Sequence, residues 1–431
     1  MKCFFLAMIF PAVIFFSSCT GVPMSVFPGS SSIPADFAGI AHAGHTRTQT
    51  ELNHLDYLGV RWVLRTYNWH IIEPYQGEWD FLEYDAHADT TTAAGIKIIG
   101  ILAYENWWIN EDRTTPRRIT AEQLPYFLDY VRKTVEHFQG RVDAWRIWNE
   151  PNSRRFWAGT DEEFYELTRQ TAEAIREIDS EVVILGGGFN RNVMGLREDF
   201  IRGLFESGAM EKVDAVAFHP YEINPVRSAI LYNQFKEIVA DYGFEDKIWV
   251  TEVGYPTGGR YPTQIRENRL PEYVVKTWVF LAASGTKNII WYQLFDPPDR
   301  VNKNSEHFFG LTRSRRDFTS KGAEAFRLCS LYLSDSICYP IDPEQEGLPK
   351  SVKSFWFKKE DGGALVLWND GLGSSQVHLR LPGTDHFLYD LVSGNSNSIP
   401  AELTVRAGRE PVFITWQGHG ALNDEGPVIS K

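Results

Sequence analysis

The sequence predicts an α/β chain, a barrel of eight β/α units followed by a smaller all-β domain, and three observations carry that prediction. From residue 37 to about residue 335, eight short apolar runs alternate with stretches of helical periodicity. The runs are continuously apolar rather than alternating, as strands are when helices cover both faces of a parallel sheet. Beyond that point the texture changes to short strand-like runs separated by turn residues. Eight units over about 300 residues suit a (β/α)8 TIM barrel, whose active sites lie at the C-terminal ends of the strands. An open doubly wound sheet is the alternative, but no Gly-rich phosphate loop follows the first strand.

Taken in order, residues 1–19 read as an export leader: Lys2, an apolar run of about a dozen residues, then Ser17-Ser18-Cys19. The run is too short to span a bilayer. It resembles a bacterial lipoprotein signal, which would make Cys19 the lipidated N-terminus of an exported, membrane-anchored protein facing the periplasm or the cell surface. Phe16 stands where that signal usually has Leu, so plain secretion stays open. Residues 20–34, rich in Ser, Gly and Pro, read as a tether. The barrel is expected over 35–335 and a β-sandwich over 336–431.

The eight barrel strands are expected at 37–40, 60–64, 96–102, 144–148, 182–185, 215–218, 248–250 and 289–291. The clearest helix is 160–179, where Thr160-Asp-Glu-Glu163 fits a capping box and Phe164, Leu167, Thr171, Ile175 and Ile178 form one apolar stripe. Thr120-Ala-Glu-Gln123 opens another helix in the same way. After a helix near Lys321–Leu333, six runs at 351–357, 364–368, 377–381, 387–391, 403–405 and 412–416 make the sandwich, with Asp361-Gly-Gly363 and Ser393-Gly-Asn395 as turn signals. The short connection at 334–350 marks this domain as a fixed companion of the barrel rather than an independent binding module. Cys329 and Cys338 could bridge in an oxidising compartment or stay as buried thiols.

The formal net charge is −13 over 431 residues, with a pI near 5.4. That argues against a nucleic-acid or anionic-membrane partner, which would want a basic face. Aromatic residues make up 14%, with 14 Trp, and flat apolar rings are what a site needs to stack on sugar faces. No metal-site pattern, cofactor motif or protein partner is implied.

The chemistry gathers at strand ends. Asp143-Ala-Trp-Arg-Ile-Trp-Asn-Glu-Pro151 is an apolar run that stops at an amide, a carboxyl and a proline that cannot extend a ladder. Ile248-Trp-Val-Thr-Glu252-Val-Gly254 repeats the design. Arg65 follows the second strand, His219 and Tyr221 the sixth, and Trp291 lies in the eighth. Trp69, Trp107, Trp108, Trp157 and Tyr255 fall in loops and could line a cleft, although core packing is the ordinary role of each. His42 and His45 could touch sugar.

With Trp69-His-Ile-Ile-Glu-Pro74, Phe218-His-Pro-Tyr221 and Phe309-Gly-Leu311 added, the pattern resembles the clan A glycoside hydrolases. A barrel followed by a sandwich looks most like glycoside hydrolase family 39, although family 5 and other relatives share the motifs. The resemblance implies a retaining enzyme on a β-linked glycan, with Glu150 as acid/base and Glu252 as nucleophile. It also implies that Asn149 binds the sugar 2-hydroxyl, Tyr221 and Arg65 hold Glu252 ionised and Trp291 floors the subsite of the cleaved sugar; His219 is a further supporting candidate, and either it or Arg65 could instead be a structural residue packing the barrel mouth. A sugar-binding lipoprotein on a retired barrel is the rival, since fold does not fix function.

Overall fold

The computed structural model describes residues 22–41, 48–109, 117–191, 195–259, 264–297, 304–314, 321–418 and 426–431. The leader with Cys19, and His42 and His45, lie outside the described residues. Eight parallel strands close the barrel: β2 (Ala38–Ala41) follows a short strand β1 (Ser31–Ile33), and then come β3 (Trp62–Asn68), β4 (Lys97–Ala103), β5 (Ala144–Ile147), β6 (Val183–Asn190), β7 (Ala215–His219), β8 (Ile248–Val253) and β9 (Ile289–Tyr292). Residues of β4, β5, β7 and β8 are almost all buried, which explains runs without polar alternation.

The helices are α1 (Gln49–Tyr57), α2 (Trp69–Ile72), α3 (Leu82–Ala93), α4 (Leu124–His137), α5 (Asp161–Ile178), α6 (Glu198–Glu206), α7 (Pro225–Ala240), α8 (Leu270–Ala283) and α9 (Ala323–Leu333). Both arms of the Thr160–Glu163 capping box form, and Phe164, Leu167, Thr171 and Ile175 are buried as their spacing requires. At Thr120 only one arm exists: the Gln123 side chain accepts from the Thr120 N–H at 3.0 Å, and the helix begins at Leu124, with Pro125 in its first turn. None of the helices among the described residues is long and apolar enough to cross a membrane.

The C-terminal part is a two-sheet sandwich of β10 (Ser336–Ile341), β11 (Val352–Lys359), β12 (Gly362–Asn369), β13 (Ser375–Arg380), β14 (Thr384–Tyr389), β15 (Ser396–Ser398), β16 (Glu402–Ala407), β17 (Val412–Gln417) and β18 (Val428–Ser430). Two expectations are corrected here. The stretch expected as a tether is ordered from Val22 onward, because β1 adds an edge strand to the sandwich, Ser31 opposite Cys338 and Ile33 opposite Ser336. The 334–350 connection itself contains a strand, since β10 starts three residues after α9 and pairs with β11. Three-residue strands carry too little periodicity to be seen in sequence. Cys329 and Cys338 are buried and unbridged.

Helix α8 joins the two parts. All its residues are buried, and Phe280 packs edge-on against Phe355 and Trp368, with ring centroids 6.0 and 5.2 Å apart. A charged cluster sits beside it: Lys276 Nζ is 3.2 Å from Glu272 and 3.1 Å from Asp370, and Arg409 reaches Glu272 at 3.2 Å.

Candidate active site

The C-terminal ends of β5, β7 and β8 open on a cavity of about 1190 Å³. Glu150 and Glu252 line it, together with Asn149, Tyr221 and Tyr292. Chain direction aims these groups: β5 ends at Ile147 and the next residues turn sharply. Trp148 and Glu150 have φ of 65° and 47°, in the left-handed region that side chains disfavour. Neighbours hold the turn, because Trp148 Nε1 donates to the Phe156 carbonyl at 2.8 Å and Asn152 Nδ2 donates to the Asn190 carbonyl at 2.7 Å.

Beneath the two carboxyls lies Arg146, fully buried in the middle of β5. Its Nη1 donates to Thr251 Oγ1 at 2.8 Å and to His219 Nε2 at 2.9 Å, its Nη2 donates to Asn149 Oδ1, and Nη2 is 3.7 Å from Glu252 Oε1. Space for the guanidinium comes from β6. Gly188 has φ 93°, beside a register shift between Gly187 and Phe189, and a Cβ there would stand 3.2 Å from Arg146 Cζ.

Arginine cannot accept a hydrogen bond, so His219 Nε2 must be the accepting nitrogen and Nδ1 the one that carries the hydrogen. Nδ1 therefore donates to Glu150 Oε1 at 3.0 Å. The ring is neutral, its pKa pushed down to about 3 by burial, with Glu252 opposing and Arg146 reinforcing the shift. The same geometry orients Asn149: its oxygen faces Arg146, and its amide nitrogen is the donor end, toward the Tyr104 side chain.

Burial pushes the Glu150 carboxyl up to about 7, while the Arg146 charge pulls the other way. Glu252 has a different setting, with the Tyr221 hydroxyl donating to Oε2 at 3.2 Å and the guanidinium on its other oxygen. Oxygens of the two carboxyls lie within 4.8 Å of each other. Those oxygens and His219 have the spacing of a metal cage, but the Arg146 cation already occupies that electrostatic niche.

Five of the seven expected site residues meet here: Asn149, Glu150, His219, Tyr221 and Glu252. Arg65 lines the same cavity but is not the cation beside Glu252, and Trp291 does not take its expected place. β3 runs three residues beyond Arg65, so Arg65 is mid-strand, paired with Glu83 at 2.5 Å and stacked over the Tyr84 ring of α3 at 4.6 Å. Arg146 is the cation beside Glu252 instead. Trp291 is fully buried and its ring centroid lies 6.0 Å from that of Tyr255. Consecutive strand residues face opposite sides, so its neighbour Tyr292 lines the cavity.

Trp69, Trp157 and Tyr255 are buried in the core, Trp108 is partly buried, and Trp107 is half exposed. None of the five is part of the cavity wall. A signal for Arg146 existed: a lone charge inside a four-residue apolar strand demands an internal partner.

The model of glycosyl hydrolases family 39 matches residues 126–246, which hold Asn149, Glu150, His219 and Tyr221. A β-xylosidase of Caldicellulosiruptor saccharolyticus is 46% identical over 76 residues, 17% of this chain and 16% of that protein's length. A family 39 glycoside hydrolase from the gut symbiont Bacteroides cellulosilyticus superposes with a TM-score of 0.73 at 17% identity, over 89% of this chain and 81% of that one. A family 39 β-xylosidase from Caulobacter crescentus gives 0.63 at 16% identity, over 90% and 98%. At such identities the superpositions speak for the fold: a TIM barrel with a C-terminal β-sandwich. Fold and matched segment together make this chain most like family 39 of the clan A glycoside hydrolases.

Proposed function

We propose that the protein is a retaining glycoside hydrolase that cleaves a β-glycosidic bond by double displacement, with Glu150 as acid/base and Glu252 as nucleophile. The observation that carries this reading is the carboxyl pair itself, with oxygens within 4.8 Å of each other, Glu150 beside a neutral imidazole and Glu252 beside the Tyr221 hydroxyl and the Arg146 guanidinium. Retaining enzymes hold their carboxyls about 5–5.5 Å apart, whereas inverting ones leave about 6.5–9.5 Å for a water. In the first step Glu252 attacks the anomeric carbon as the bond to the leaving oxygen breaks, and that oxygen takes the proton of Glu150. In the second step Glu150 takes a proton from water, which displaces Glu252 from the sugar. Asn149, whose amide carries two N–H donors, would use the one not engaged with Tyr104 on the sugar 2-hydroxyl, and Tyr292 would floor the subsite.

The relatives named as β-xylosidases make an aryl β-xyloside the first substrate to try, followed by a panel of β-glycosides. Product stereochemistry followed by NMR from the first minutes should show the same anomer as the substrate. Glu252→Gln should lose nearly all turnover. Glu150→Gln should keep more of it on good leaving groups and be rescued by azide, which attacks the intermediate without base help. Initial release of the opposite anomer, or a Glu252→Gln variant with near-normal rates, would overturn the assignment. No hydrolysis across the whole panel would favour a sugar-binding protein.

A further inference from the structure

Most partly buried arginines of this chain face an acid. Arg65 meets Glu83 and Arg118 meets Glu163, each at 2.5 Å, Arg141 meets Asp85 at 2.8 Å and Arg269 meets Glu272 at 2.9 Å. With a formal net charge of −13 there are acids to spare. Arg117 is the exception among them, and the exposed Arg155 beside it is like it: among the described residues neither has a carboxylate partner.

Both sit on the Glu150 flank of the cavity. Arg155 lines it, on the loop that runs on from Glu150, and Tyr104 and Phe156 line it beside Arg155. Arg117 Cζ lies 4.7 Å from the centroids of both rings, and Arg155 Cζ lies 5.2 Å from that of Phe156. The two arginines are also tied together, because Arg117 Nη1 donates to the Arg155 carbonyl at 3.2 Å. The Arg117 carbonyl in turn accepts from the Ala158 N–H at 3.0 Å.

Stacking fixes a guanidinium plane without using its N–H donors, so a stacked arginine keeps its fork open for a planar anion. An arginine that merely solvates the surface gains nothing from such anchoring. The positive charge reaches the reacting groups, since Arg155 and Arg117 both oppose the upward shift of Glu150. The acid must face the leaving oxygen, so the leaving sugar lies on its flank.

We propose that Arg155, positioned and reinforced by Arg117, binds an anionic group on the leaving-group side of the scissile bond, which makes the substrate an acidic glycan. The group is a carboxylate, as on a uronic acid, or a sulfate ester. This assignment rests on the acid role of Glu150 given above.

The test uses one glycone, whichever aryl β-glycoside is turned over, with three aglycones: 4-carboxyphenyl, 4-sulfophenyl and the neutral 4-carbamoylphenyl. In the wild type, kcat/KM for the preferred anion should exceed the neutral value by about tenfold at low salt, the size of one partly exposed charge-assisted contact. The advantage should shrink in high salt. Arg155→Gln and Arg117→Gln should each reduce the anionic-to-neutral ratio, Arg155→Gln the more, toward one. Comparing ratios within each variant cancels intrinsic leaving-group reactivity. A carboxylate preference points to a uronate and a sulfonate preference to a sulfated sugar. Equal rates on all three aglycones, or a preference unchanged in Arg155→Gln, would overturn the proposal.

Calorimetric titration with free D-glucuronate, D-glucose 6-sulfate and D-glucose gives a readout independent of turnover. Tighter binding of an anionic sugar that Arg155→Gln weakens supports the site even if no glycoside is cleaved, in which case only the hydrolase reading fails. Absence of that preference in both assays sinks the site.

Discussion

The Glu150 carboxyl is hydrogen-bonded by two neighbours, the His219 ring and the Asn190 side chain. His219 Nδ1 donates to Oε1, so a proton on the carboxyl belongs on Oε2. The neutral imidazole serves this end better than a charged one, because an imidazolium beside Glu150 would stabilise the carboxylate and lower its pKa. With the carboxyl pushed up to about 7 by burial, Glu150 is mostly protonated below neutrality and gives up its proton as pH rises through about 7. The expected outcome is a kcat/KM profile whose basic limb falls with an apparent pKa near 7 on a substrate with a poor leaving group. On a dinitrophenyl glycoside, which needs no proton, that limb should flatten. A basic limb of the same depth on both substrates would show that another group sets it.

The β5–α5 unit delivers the acid and most of its surroundings. β5 supplies Arg146 to the interior, the turn after it presents Asn149 and Glu150, and the loop to Thr160 carries Arg155 and Phe156. That loop is closed where α5 starts: Trp157 Nε1 donates to the Thr160 carbonyl at 2.8 Å, and Glu163 both completes the capping box and accepts from Arg118 Nη2 at 2.5 Å. Thr160→Ala removes the acceptor for the Glu163 N–H, and loss of such a cap costs about 1 kcal/mol. Chemical denaturation should register a loss of that size. A stability equal to the wild type would show that the Glu163–Arg118 pair and the tryptophan hold the helix start without Thr160.

At the scale of the whole molecule the barrel and sandwich share a core. Phe280 of α8 packs against Phe355 and Trp368 of the sandwich, and Phe27, just ahead of β1, stacks on Phe280 with centroids 5.8 Å apart. Lys276 and Glu272 are about 4% exposed, and their partners Asp370 and Arg409 come from the other domain. A chain truncated after Leu333 would leave two buried charges without those partners and bare an apolar helix face to water. Expression of residues 22–333 should therefore give insoluble or strongly destabilised protein. A soluble, cooperatively melting barrel with full activity would show that the sandwich is dispensable.

What the sequence determined by itself is local. Eight apolar runs, the capping box at Thr160 and the Asn-Glu-Pro strand end were legible because each is written in adjacent residues through propensity, period and the missing N–H of proline. The carboxyl of the second strand end was legible for the same reason. Which arginine stands beside Glu252, and whether Trp291 or Tyr292 faces the cavity, depends on strand length and phase, and a shift of one residue turns a side chain to the other face. Only the closed barrel decides that Arg146 points inward while Arg65 meets α3. Only it lets the glycines of β6 make room for a guanidinium. The place of β1 in a sheet more than 300 residues away in the chain is likewise decided by tertiary structure, because three residues hold too little pattern and the partner strand supplies the hydrogen bonds.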